Sequence, residues 1–195
     1  YEIFIISNSS GISLKNLTIS NADGYDGGGI IIANSIKQSM SNLLFIKNEG
    51  GIGGAMTLYD SRTEIADCDF IENTAVASGG EAGAIHLDDG TLSIQNCEFI
   101  GNTANGWGGA IFSEEYATLS IDACLFELNY ADNHGGAIRI RDGDITISNS
   151  VFTTNGSGGS YGGALSVLDS SATIISNQFT ENYIPTFGSA FTISA

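Results

Sequence analysis

Asn96-Cys97-Glu98-Phe99-Ile100-Gly101-Asn102-Thr103-Ala104-Asn105-Gly106-Trp107-Gly108-Gly109-Ala110-Ile111 holds the unit from which most of this 195-residue chain is copied. Its skeleton is a Phe, an Asn three residues later, a variable loop, then Gly-Gly-Ala and an aliphatic residue. The pair recurs as Phe45/Asn48, Phe70/Asn73, Phe99/Asn102, Phe126/Asn129, Phe152/Asn155 and Phe179/Asn182. Gly-Gly-Ala closes copies at Ala55, Ala110, Ala137 and Ala164, with the variants Gly27-Gly28-Gly29, Glu81-Ala82-Gly83-Ala84 and Gly188-Ser189-Ala190. Leu17, followed by Ser20 and Ala22, reads as a degenerate first copy.

Successive Phe positions are 25, 29, 27, 26 and 27 residues apart. A fixed period of this size marks a solenoid, a propeller or another array. A propeller blade needs about 40 residues or more, and a leucine-rich repeat needs a pattern that is absent here. Each copy instead contains short alternating runs, such as Leu92-Ser93-Ile94, Leu119-Ser120-Ile121 and Ile145-Thr146-Ile147, broken by Asp, Gly and Asn. The period therefore predicts an all-β fold, a single-stranded parallel β-helix with one repeat per coil. About seven coils of ~27 residues, at roughly 4.8 Å each, make a rod on the order of 34 Å long. One Pro and 26 Gly, with no helical apolar stripe, leave almost no helix expected.

The formal net charge is -16, from 22 acidic and 6 basic residues. That composition excludes nucleic acid as partner, because phosphate binding is driven by Lys and Arg. It also opposes attachment to anionic lipid. No targeting signal or membrane-spanning run is present, so no direct membrane insertion is expected of this segment. The sequence opens on strand-like residues, Tyr1 to Ile6, and ends just after Phe191-Thr192-Ile193, with no polar cap at either end. Solenoid ends need caps. Residues 1–195 are thus expected to be one β-helix segment of a longer polypeptide, or a piece that self-associates end to end.

Stacking one repeat on the next turns the alignment into columns. The Phe and Asn columns read as structural ladders, rings on rings and amides on amides. Cys68, Cys97 and Cys124 form a third column two residues before the Phe, hence on the same side of the strand. Packed free thiols are the expectation, with a disulfide between neighbouring coils kept as the alternative. Five residues after the closing Ala runs an acidic column, Asp60, Asp89, Glu115, Asp142 and Asp169, near His86, Arg139 and Arg141. Carboxylates on adjacent coils suit a polysaccharide-cleaving pair or a calcium site built of oxygens. Asp before Gly is also ordinary turn chemistry. A catalytic site should interrupt the repeat, and no interruption stands out, so no catalytic residue is assigned and calcium is the one cofactor left open.

The loops between Asn and Gly-Gly-Ala carry the individuality of each copy. Several hold aromatics, among them Tyr25, Trp107, Tyr130, Tyr161, Tyr183 and Phe187. Loops of a repeat protein gather on one face, often the binding face. Trp107, Tyr130, Tyr161 and Tyr183 are the candidate partner-binding residues, with covering of the loops' own small clusters as the other reading.

Phe-x-x-Asn alternating with Gly-Gly-Ala-(Ile/Leu/Val) through about residues 17 to 193 resembles the repeats of chlamydial polymorphic outer membrane proteins and similar surface proteins. The resemblance implies right-handed winding, export to the cell surface or beyond, and adhesion to a protein or glycan. Three functions follow as expectations: a non-enzymatic surface adhesin, a structural filament, sheath or stalk, and a polysaccharide lyase or hydrolase.

Overall fold

The computed structural model describes residues 1–185 and 191–194, so Phe187 and the Gly188-Ser189-Ala190 copy lie outside the described residues. Among the described residues there is no helix, and every named strand pairing is parallel. The chain winds into a parallel β-helix of about seven turns. Ile30, Met56, Ile85, Ile111, Ile138 and Leu165 are successive register partners, which sets 26 to 29 residues per turn.

One turn shows the plan. Ile85–Gln95 enters the first sheet, Glu98–Ile100 the second and Thr103–Ala104 the third. Neighbouring turns add strands to the same three sheets, of 12, 7 and 6 strands; the first has the most because the first turn and the later turns enter it in two pieces. The corners come from residues in left-handed backbone conformation, which Asn, Asp and Gly tolerate best. In this turn they are Asn96 (φ 52°) between the first and second sheets and Gly101 (φ 65°) between the second and third.

The interior repeats from turn to turn. Ile85, Leu87, Leu92, Ile94, Cys97 and Phe99 belong to one continuous core with their counterparts in other turns. The rings of Phe45, Phe70, Phe99, Phe126, Phe152 and Phe179 stack at centroid separations of 4.7 to 4.8 Å, within 8° of parallel. That separation is the strand spacing itself. Asn48, Asn73, Asn102, Asn129, Asn155 and Asn182 form the second file, each Nδ2 donating to the Oδ1 of the next at 2.9–3.0 Å. The same Nδ2 also donates to a carbonyl one turn back, as Asn102 does to Phe70. Each Oδ1 takes a second bond from a backbone N–H, as Asn129 does from Asn102. Two donors and two acceptor sites are thereby filled, the full capacity of an amide.

The cysteines are free and buried. Each sulfur accepts from the backbone N–H one turn back, Cys97 to Cys68 at 3.4 Å and Cys124 to Cys97 at 3.5 Å, and donates to a carbonyl two residues before it. Ser150 repeats the arrangement with its hydroxyl, so the column is a file of corner hydrogen bonds as well as a packed one. The hydrogen bond to Cys124, with burial, pushes the Cys97 thiol up to about 12.

The first copy begins two residues later than the motif suggests. Phe45 pairs with Ile19, and Asn48 accepts from the N–H of Ala22, so Ile19 and Ala22 hold the ladder positions. Leu17 is the neighbour of Leu43 and 37% exposed. The two glycines of Gly-Gly-Ala do different things. Gly108, Gly135 and Gly162 take φ of 60°, 69° and 63°. A Cβ on Gly83 or Gly109 would lie 2.0 Å from a carbonyl oxygen of the following turn, an approach only glycine permits.

Candidate functional site

The outer face of the first sheet is where the copies stop agreeing. Ile85 and Leu87 point into the core. His86 between them therefore faces outward, and so do its register partners Thr57 and Phe112. Counted from the closing small residue, position +2 reads Ile31, Thr57, His86, Phe112, Arg139, Ser166. Position +4 reads Ala33, Tyr59, Asp88, Glu114, Arg141, Leu168. Position -3, on the incoming loop, reads Asp26, Ile52, Glu81, Trp107, His134, Tyr161. Within each of these columns no residue type recurs; the nearest to a repeat are the carboxylate pairs Asp88 and Glu114 at +4 and Asp26 and Glu81 at -3.

The middle turns bring charged groups together there. His86 Nε2 lies 2.6 Å from Glu81 Oε2 and 3.2 Å from Glu114 Oε1. Arg141 donates to Oε2 of Glu114, and its guanidinium carbon sits 5.7 Å from the centre of the Phe112 ring. Arg139, one turn above Phe112, donates instead to the Ser166 hydroxyl. Although they face away from the core, His86 is 2% exposed, Glu114 7% and Arg139 8%. The loop column covers them: Trp107 packs on Phe112 at 5.7 Å, and Phe112 itself lies 5.7 Å from the His86 ring.

The electrostatics follow from this crowding. Burial pushes the pKa of His86 down, but hydrogen bonds with Glu114 and Glu81 outweigh it, and the net direction is up. For Glu114 burial pushes up, and the hydrogen bond and charge of His86 with the charge of Arg141 bring the carboxyl below its ordinary value. Asp88, the register partner of Glu114, is pushed above the usual carboxylate range by burial and by the Glu114 and Glu81 carboxylates, against the pull of His86. The Tyr59 phenol is pushed up to about 12, first by burial and then by Asp26, Asp88 and Glu81. Negative potential collects on this patch.

The acidic column of the sequence lies elsewhere. Asp60, Asp89, Glu115, Asp142 and Asp169 are exposed and occupy the left-handed bend that divides the first sheet, with φ of 40°, 59°, 55°, 53° and 48°. The bend continues downward as Asn8 and Asn34, also at positive φ. The column is a conformational repeat of Asn and Asp, with Gly90 N–H donating to Asp89 Oδ1 at 2.5 Å. Its members are not the carboxylates that meet His86; Glu114, one residue earlier than Glu115, is.

The loop aromatics divide. Trp107 is half-buried against Phe112, and Tyr130 is half-buried in the third sheet. Tyr161 is 52% exposed and edge-on to His134. Tyr183 is 48% exposed, with its ring over Gly156, where a Cβ would come within 2.4 Å of it. Tyr25 is 89% exposed at the other end of the rod. The expectation that no residue group interrupts the repeat is corrected by Glu81, His86 and Glu114. Reading the -3, +2 and +4 positions down the alignment would have disclosed them.

Searches among curated proteins and among solved structures give no match. A family model described as right-handed β-helix region matches residues 1–126, about two thirds of the chain. The register continues without a break beyond that limit, through Ile138 and Leu165. With its winding thereby right-handed, the chain belongs to the right-handed β-helix region family.

Proposed function

We propose that this chain is a non-enzymatic β-helix segment of a cell-surface or extracellular protein, akin to the polymorphic outer membrane protein repeats, whose loop side recognises a protein or glycan. The observation that carries this reading is a division of labour. From Phe45 to Phe179 the interior ladders repeat turn after turn, while the outward columns differ from turn to turn and the loops carry exposed rings at Tyr161 and Tyr183. Aromatic rings on a rigid scaffold supply contact area at low entropic cost, which suits stacking on sugars or packing on a protein. The acidic column offers polysaccharide chemistry little, because its members are bend residues repeated in every turn. The carboxylates that do break the repeat are engaged by His86 and Arg141 beneath the loops.

The test is binding of the purified chain to cells and to a glycan array, with Tyr161→Ala/Tyr183→Ala beside the parent. Both side chains are about half exposed, so the double variant should melt within a few degrees of the parent. Its binding should fall about tenfold or more, the loss of roughly two aromatic contacts. Undiminished binding by a folded variant, or release of oligosaccharides from a polysaccharide by the parent chain, overturns the reading.

A further inference from the structure

The Glu81–His86–Glu114 cluster contains one polar atom in want of more than it has. His86 Nε2 carries at most one proton, yet two carboxylate oxygens converge on it, at 2.6 and 3.2 Å. The three donor atoms all lie within 4.8 Å of one another and come from three places in the fold: the loop before one turn, the strand of that turn and the strand of the next. Nδ1, the other nitrogen of this ring, is buried and without a hydrogen-bond partner. The ring is held by packing, with Phe112 on one side and Tyr59 edge-on at 6.3 Å on the other.

We propose that Glu81, His86 and Glu114 bind a divalent transition metal ion, zinc by the chemistry of the donors, and that the ion ties the loop carrying Glu81 to the first sheet. One imidazole nitrogen with two carboxylates is a borderline donor set. It favours zinc and its neighbours over calcium, which seeks six to eight oxygens. Three protein donors leave a position for water or for Asp88, whose carboxylate belongs to the same patch. Arg141 bonds to Oε2 of Glu114 and leaves Oε1 for the metal, the kind of outer partner that orients a ligand. On binding, the ring keeps one proton, on Nδ1, any proton on Nε2 passes to solvent, and the Nε2 lone pair goes to the metal. The charges agree: Glu81, Asp88 and Glu114 face His86 and Arg141, so once the imidazole is neutral the patch holds two negative charges in excess, which a divalent ion cancels. The site is independent of the recognition reading, because it needs no partner molecule.

The experiment uses the chelator-treated, tag-free chain, titrated separately with zinc, cobalt and calcium near neutral pH and followed by calorimetry and melting. Zinc should bind one to one in the micromolar range or tighter and raise Tm by about 5 °C. Cobalt should give visible d–d bands without sulfur charge-transfer absorption. Glu81→Gln changes a partly exposed loop residue and should leave the fold intact while weakening zinc about tenfold or more; His86→Ala should abolish it. Absence of zinc and cobalt binding, equal affinity in Glu81→Gln, sulfur-to-metal absorption, or a one-to-one calcium response overturns the proposal.

Discussion

Inside the coil, residue 99 is the same as residues 70 and 126 and stacks on both. Outside it, residue 86 is a histidine between a threonine and a phenylalanine. The two residues lie on different sheets of the same turn, one facing in and one facing out, and differ in what the neighbouring turn demands. An interior position must complement its own copies above and below, so a residue that pairs with itself is selected: a ring that stacks or an amide that both donates and accepts. An outward position faces the loops, which vary, and the residue follows the loop. The scaffold is written in what repeats, and chemistry in what does not.

The largest break in this contrast should come from the interior. Phe99→Ala removes a fully buried ring that has a neighbour on each face, and should cost about 3–5 kcal/mol in urea unfolding. Asn102→Ala should cost somewhat less, about 3 kcal/mol, because it removes the bonds to the Phe70 carbonyl and the Asn129 side chain and leaves the buried N–H of Asn73 without its acceptor. Asn102→Asp is the sharper comparison, since a carboxylate cannot donate to Phe70 or Asn129. A loss below about 1 kcal/mol for either substitution would mean that the amide file is not satisfying the turn. On the outer face Trp107→Ala should cost only about 1 kcal/mol, the loss of one tilted ring contact with Phe112. A loss as large as that of Phe99 would show that the loop cover is part of the core.

What could be read from the sequence follows the same line. The Phe, Asn and Cys files were legible because vertical stacking converts a period into a contact, so residues 27 apart become neighbours without any knowledge of the loops. Ile19 and Ala22 were not placed in the ladders because neither is a ladder residue by type; only the pairing with Phe45 and Asn48 places them. Glu81 and Glu114 were missed for the opposite reason, and His86 was noted only as a neighbour of the acidic column. Each stands alone in its column, and Glu114 adjoins Glu115, whose regular spacing drew attention to the wrong carboxylate. That regularity reflects backbone conformation, which recurs every turn, whereas the contact between His86 and Glu114 happens once.

The smallest effect tests that distinction between conformation and charge. If the acidic column exists because Asp tolerates a left-handed bend, then Asn should serve equally well, as Asn8 and Asn34 already do in the first two turns. Asp89→Asn should therefore change stability by no more than about 0.5 kcal/mol, the range of an ordinary surface substitution. Asp60→Asn/Asp89→Asn should fall short of the sum of the two single changes by no more than the small repulsion between the exposed carboxylates, which either substitution alone already relieves. Millimolar calcium should leave the melting temperature of parent and variants alike, since ligand binding would raise it in proportion to the logarithm of free calcium. A calcium-dependent rise that Asp89→Asn abolishes would instead make this bend a second place where charge was selected, and the repeating carboxylates would then be chosen for what they bind.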